Sequence, residues 1–306
     1  MKLIYLEVSV LFKEIDIDSK QVLDKYFELV DYEACEYCFT ILYMWKELYN
    51  TKYYVEKDFA IVAGEYENKG FLILPLARKE NMYKAFDFII KYFQKNDRKI
   101  LLKAISKEVV NYLRKEYKDR FIYIEERNNF DYIYEGESLR TLAGRKNQKK
   151  RNHLNSFIKE YGDRVEYRKL NEKDFKDCKN VMSKWLEDKG EDSEFDSEVR
   201  AIKRIFDNYD KLKDKIKIAG IYIDSKLEAF SIGEMLNKDM AVIHIEKANS
   251  DIRGLYPYIN KEFLVNEFSD VKFVNREEDL GIEGLRKAKL SYHPIKFAEK
   301  YTVIEC

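Results

Sequence analysis

Short turns at Asp224-Ser225 and Asn237-Lys238 join apolar runs at 216–223, 227–236 and 240–247. Turns this short close antiparallel hairpins, so the three runs must be neighbouring strands of one sheet. After Gly254 the pattern changes to a helix reaching about residue 268, a short strand at 271–274, a helix at 282–290 and a last strand near 295–303. Upstream, a strand at 165–169 precedes Asn171, which suits a helix cap. Phe175, Cys178, Met182 and Trp185 then recur at helical spacing until Gly190. A further helix begins near Ser193 and carries Val199, Ile202 and Ile205. An order with three hairpin-linked strands excludes a doubly wound nucleotide-binding sheet, where helices separate successive strands.

The first half repeats this order. A strand in the N-terminal MKLIYLEVSVLF leads to helices at 19–30 and 39–48, strands at 53–56, 60–64 and 71–75, a helix at 83–93, a strand at 100–103, a helix at 107–116 and a strand at 121–125. The repeated order predicts an α+β chain of two tandem domains, 1–138 and 139–306, each a mixed sheet with helices on both faces. A length of 306 residues agrees with two domains.

Lys plus Arg and Asp plus Glu number 56 each, so no global field recruits nucleic acid or an anionic membrane, and such a partner needs a local patch. No stretch approaches the roughly 18 to 20 apolar residues of a spanning helix, and a cytoplasmic protein is expected. Glu7 interrupts the N-terminal apolar run as a signal peptide would not. Cys35-x-x-Cys38 has no second pair and runs into a helix pattern, and His153, His244 and His293 lack metal spacing, so no metal site is expected.

The local patch lies between the halves. Residues 139–160 hold seven Lys or Arg against one Glu. On a helical wheel Leu154, Phe157, Ile158 and Tyr161 form a stripe that Asn147, Lys150 and Arg151 continue, whereas Arg145, Lys146 and Lys149 fall outside it. A stripe that turns from apolar to basic predicts one wall of an anion-binding cleft.

The chemistry is expected at strand ends. Alternation along 240–247 puts Val242, His244 and Glu246 on one face and Ala241, Ile243, Ile245 and Lys247 on the other, which would make His244 and Glu246 a proton-transfer pair. Past the strand at 271–274 comes the run Asn275, Arg276, Glu277, Glu278 and Asp279, followed by Arg286 and Lys289. If the two strands are parallel neighbours, Lys247 and Asn249 lie beside Arg276 and Asp279. There is no G-x-S-x-G elbow, P-loop or G-x-G-x-x-G.

The blocks HIEKAN at 244–249, YINKEF at 258–263 and NREEDLGIEGLRKAKLSY at 275–292, with the basic helix before them, resemble the C-terminal domain of phosphatidylglycerol lysyltransferases. That family is similar to two acetyltransferase-type (GNAT) folds in tandem and to the Fem-type aminoacyltransferases. The resemblance implies transfer of an aminoacyl or acyl group, with aminoacyl-tRNA or acyl-CoA as donor and a phospholipid head group or small molecule as acceptor. The glycine-rich acyl-CoA loop of that fold is reduced here to Arg253-Gly254. Under this reading His244, Glu246 and Glu277 are the catalytic candidates. Asn147, Lys150, Arg151, Lys247, Asn275, Arg276, Glu278, Asp279, Arg286 and Lys289 are the substrate-binding ones. A non-catalytic binder of RNA or an anionic metabolite, and a CoA-dependent N-acetyltransferase, are the competing expectations.

Overall fold

A computed structural model of the chain describes residues 12–67, 69–189 and 193–306. The strand expected in the first eleven residues and the helix stop at Gly190 lie outside these. The chain forms two compact units. The first runs to Phe130 and takes in Ala298–Cys306, and the second is Asp131–Phe297.

The strands of the first unit are β1 (Lys13–Glu14), β2 (Lys52–Val55), β3 (Phe59–Tyr66), β4 (Lys69–Ala77), β5 (Leu101–Ser106) and β6 (Phe121–Glu125). The second contributes β7 (Asp131–Glu135), β8 (Val165–Lys169), β9 (Ile216–Ile223), β10 (Lys226–Asn237), β11 (Met240–Ala248), β12 (Phe273–Asn275) and β13 (Lys296–Ala298), and the chain closes with β14 (Lys300–Glu305). The sheet orders are β1-β2-β3-β4-β5-β14-β6 and β13-β7-β12-β11-β10-β9-β8.

Two features depart from the sequence reading. The single last strand expected at 295–303 is two strands, and β14 inserts antiparallel between β5 and β6 of the first unit. The division therefore differs from 1–138 and 139–306, because the C-terminal segment pairs with strands far from it in sequence. The second feature is β7, which was not foreseen. Tyr132, Ile133 and Tyr134 are all buried, so this inner strand has no alternation to betray it.

In the second unit, successive residues of β10 face opposite helix layers. Ala229 packs with Leu255 and Ile259 of the helix Leu255–Glu267, whereas Phe230 meets Phe206 of the helix Ser193–Asp207. Phe206 in turn stacks on Phe175 of the helix Phe175–Lys189, with ring centroids 4.1 Å apart. The basic segment forms the helix Gln148–Tyr161, which buries Leu154 and Phe157 but leaves Ile158 46% exposed, so the apolar stripe is narrower than predicted. Gly254 brings this helix against Leu255–Glu267. Its φ is +89°, and a Cβ there would sit 2.4 Å from the carbonyl oxygen of His153.

In the first unit Cys35 and Cys38 are buried, and the Cys38 thiol donates to the Cys35 carbonyl at 3.4 Å. No helix among the described residues is long and apolar enough to cross a membrane.

Candidate active site

The parallel pairing of β11 with β12 is short: Met240 faces Phe273, Ala241 faces Val274 and Val242 faces Asn275. Beyond that point β11 runs on to Ala248 with no β12 partner, so the two strands part at their carboxyl ends. The ladder between β11 and β10 also breaks here. Ile243 pairs with Gly233 and Ile245 with Ile232, leaving His244 as an extra residue in a β-bulge.

The bulge reverses the expected alternation. Glu246 accepts from Asn260 of the helix Leu255–Glu267, while Lys247 donates to Glu198 of the opposite helix layer. His244 and Glu246 are therefore not a pair, and each is held by a different set of partners.

His244 is enclosed, its side chain fully buried between two carboxylates. Nδ1 lies 2.8 Å from Glu277 Oε1 and Nε2 lies 3.0 Å from Glu234 Oε1. Glu277 reaches back toward β11 because its backbone takes a left-handed turn at φ +55°. Asn275 makes that turn: its Oδ1 accepts from the Glu277 NH at 2.6 Å, while its Nδ2 donates to Asp131 at 2.9 Å. Burial pushes the Glu277 carboxyl above its ordinary range, and the hydrogen bond from His244 only partly offsets it.

A second cluster centres on Glu246. Oε1 accepts from Arg276 Nη2 at 2.9 Å and Oε2 from Asn260 Nδ2 at 2.9 Å. The Arg276 guanidinium lies 4.7 Å from the centre of the Tyr292 ring, and Lys150 Nζ sits 4.0 Å from the same ring. Burial, with Arg276 nearby, brings the Lys150 ammonium down to about 8, and burial pushes the Tyr292 hydroxyl up to about 12. Lys289 donates to the carbonyls of Arg276 and Glu278, tying the loop after β12 to the helix Glu283–Leu290, and burial lowers its pKa.

Other expected binding residues serve the framework. Asp279 receives Arg286 in a two-pronged pair at 2.8 and 2.7 Å, the Tyr132 hydroxyl at 2.5 Å and the Gly281 NH at 2.8 Å. Burial works against the ionised Asp279, but these donors outweigh it and hold the carboxyl at about 2. One Arg151 η nitrogen donates to the carbonyls of Leu142 and Gly144, and Asn147 Nδ2 donates to the Ala143 carbonyl at 3.0 Å, so both shape the entry to the basic helix. Lys247 rests 3.3 Å from the Trp185 ring centre and 2.7 Å from Glu198, away from Arg276. Asn249 donates to Glu228 at 2.8 Å. Arg145, Lys146 and Lys149 are exposed, as the wheel predicts.

Sequence reasoning missed Glu234, Asn260, Tyr132, Tyr134 and Tyr292. The available signal was Glu234, a carboxylate continuing the Phe230 and Ile232 face of a strand otherwise built to be buried.

Residues 27–304 match the family model described as phosphatidylglycerol lysyltransferase, C-terminal. An uncharacterized protein of Mycoplasmoides gallisepticum is 30% identical over 176 residues, which is 56% of this chain and 55% of that protein. The chain thus spans about half the length of this curated relative. The crystal structure of a conserved protein of unknown function from Bacteroides thetaiotaomicron is 30% identical, with a TM-score of 0.89 over 96% of this chain and 99% of that one. The fold is shared with the structure of L-PGS from Bacillus licheniformis, at a TM-score of 0.68, 13% identity and coverage of 96% and 93%. It is shared too with a tandem GNAT protein from the clavulanic acid biosynthesis pathway, at 0.50, 8% identity and coverage of 96% and 97%. The two tandem acetyltransferase-like domains that the resemblance implied are the architecture shared with the tandem GNAT structure.

Proposed function

Because the chain belongs to the phosphatidylglycerol lysyltransferase C-terminal family, we propose that it is an aminoacyltransferase that moves an amino acid from a charged tRNA to a nucleophilic lipid head group or small molecule. The observation that carries this reading is the buried Glu277-His244-Glu234 array at the place where β11 and β12 part. A buried carboxyl with a raised pKa, oriented by an imidazole, suits a general base working near neutrality.

In the proposed reaction the acceptor amine or hydroxyl attacks the carbonyl carbon of the aminoacyl ester. A new C–N or C–O bond forms, and the ester bond to the ribose oxygen breaks. Glu277, whose side chain is 17% exposed, takes the proton from the nucleophile, and that proton ends on the departing ribose hydroxyl. His244 has both ring nitrogens committed to carboxylates, which makes it a positioning residue. Main-chain NH groups along the edge of β11 past Val242, where β12 no longer pairs, are the candidates for stabilising the oxyanion.

Phosphates of the donor are proposed to meet Lys150 with the exposed Arg145, Lys146 and Lys149. Arg286 and Arg151, expected from sequence to bind substrate, are engaged by Asp279 and by backbone carbonyls.

The test is transfer of radiolabel from a mixed pool of charged tRNA, with purified protein and a membrane-plus-cytosol extract, into lipid, protein and small-molecule fractions. Label above a control without the protein is the expected result, and its fraction gives the acceptor class. No label in any fraction overturns the proposal.

A further inference from the structure

The strand β6 ends one sheet. β14 pairs along one side of it, and among the described residues no strand lies on the other. An open edge is a template for another strand, and folded chains blunt theirs with charge, shortness or irregularity. The other sheet edges follow that rule. β1 presents Lys13 and Glu14, β13 has three residues and begins with exposed Lys296, and β8 carries Glu166, Arg168 and Lys169. β6 reads Phe-Ile-Tyr-Ile-Glu, with no Lys, no Pro and no break in its register. Ile122 is 53% exposed and Ile124 44%. They lie on the face opposite Phe121 and Tyr123, which meet Tyr117 and Arg114 of the helix Lys107–Tyr117.

Two bonds fix which backbone groups of β6 face outward. The Glu126 NH donates to the Lys300 carbonyl at 3.0 Å, and the Cys306 NH donates to the Arg120 carbonyl at 2.9 Å. In an antiparallel ladder bonded residues alternate with non-bonded ones, so Ile122 and Ile124 also bond to β14. Phe121, Tyr123 and Glu125 therefore turn their NH and carbonyl groups to the open side. Those three positions are symmetric about Tyr123. A second β6 laid antiparallel against the first sets Tyr123 opposite Tyr123 of the partner subunit and Phe121 opposite Glu125 of the partner subunit. Every outward group then meets a counterpart. Ile122 falls opposite Ile124 of the partner subunit, a β-branched pair that shields two exposed side chains. The flanking charges agree in sign, because the same register brings Arg120 toward Glu126 of the partner subunit and Asp119 toward Arg127 of the partner subunit. A strand that complements itself in backbone, apolar face and charge fits a second copy of this chain better than an unrelated peptide.

We propose that the protein dimerises along β6, antiparallel about a two-fold axis at Tyr123, which joins two seven-stranded sheets into one. A contact of the same surface with itself closes at two copies. It involves the first unit alone and is independent of aminoacyl transfer.

Sedimentation velocity over a range of protein concentrations is expected to show the mass rising from 36.8 kDa toward twice that. Ile122→Lys with Ile124→Lys sets lysine against lysine across the axis, and this variant is expected to stay at the monomer mass throughout. Ile122→Glu with Ile124→Lys sets opposite charges against each other and is expected to dimerise. The two double variants differ at one residue and alter the same exposed face, so their contrast separates lost pairing from lost folding. Register is tested by cross-linking. Ile122 and Ile124 of the partner subunit form a non-bonded pair with Cα atoms about 4.5 Å apart, which suits a disulfide. In a Cys306→Ala background, an equal mixture of Ile122→Cys and Ile124→Cys proteins is expected to cross-link under mild oxidation, and neither protein alone. A monomer at every concentration, equal dimerisation of the two double variants, or cross-linking of one cysteine variant alone as readily as the mixture overturns the proposal.

Discussion

Glu277 Oε1 and His244 Nδ1 are 2.8 Å apart although the pairing of β11 with β12 ends at Val242 and Asn275, two residues before each of them. The contact exists because two local irregularities meet: the bulge that adds His244 to β11 and the left-handed turn at Glu277. Where a parallel sheet opens, side chains replace the ladder. The replacement is made of ionisable groups, so pH and conservative substitution probe it directly.

Glu277→Gln keeps the shape and a bond to His244 but cannot take a proton. Transfer is expected to fall by about 10² or more, and the acid limb of the wild-type pH profile, on which activity rises as Glu277 ionises, is expected to disappear. Stability moves the other way. A carboxyl whose folded pKa is raised binds more protons folded than unfolded, so the wild type loses stability as pH rises from about 4.5 through the folded value. Melting curves at pH 5 and pH 8 should show a smaller fall for Glu277→Gln than for wild type.

Asp279 has the opposite sign. Its folded pKa of about 2 lies below the ordinary 3.8, so its contribution is present in full above pH 4 and is lost as pH falls toward 2. Asp279→Asn is expected to cost about 2 kcal/mol at pH 7 and little at pH 2. Urea midpoints of the two proteins that stay equally far apart at both pH values would contradict this.

Lys150 is expected to lose its charge as pH rises through about 8. If it contacts a donor phosphate, the slope of log affinity for tRNA against log salt should shrink by roughly 0.7 to 0.9 in Lys150→Gln at pH 7, and the variant and wild type should converge at pH 9. Identical slopes at pH 7 would remove Lys150 from the interface.

Two glycines separate backbone need from mere presence. Gly254→Ala puts a Cβ 2.4 Å from the His153 carbonyl oxygen at a positive φ and is expected to destabilise by about 2 kcal/mol or more. Gly284→Ala meets nothing within 4 Å at the start of the helix Glu283–Leu290 and is expected to be neutral or to stabilise by up to about 1 kcal/mol. Thermal unfolding of the pair measures both.

The hairpins of β9, β10 and β11 and the helices that follow them were legible in the sequence, because each is set by residues close in the chain. Strand alternation, helical spacing and two-residue turns are local signals. The charged block after β12 was legible as well, as a place if not as an arrangement. What the tertiary structure alone decided was the pairing within it. One extra residue at His244 reverses every side chain after it, and nothing in HIEKAN marks which residue is extra, since the bulge is defined only against Gly233 and Ile232 on the partner strand. Likewise β14 follows β13 after a single residue yet joins the other sheet, and β7 carries no alternation because both of its faces are covered. Period and propensity act along the chain, whereas register, partner choice and the meeting of His244 with Glu277 are fixed by contacts between segments far apart in it.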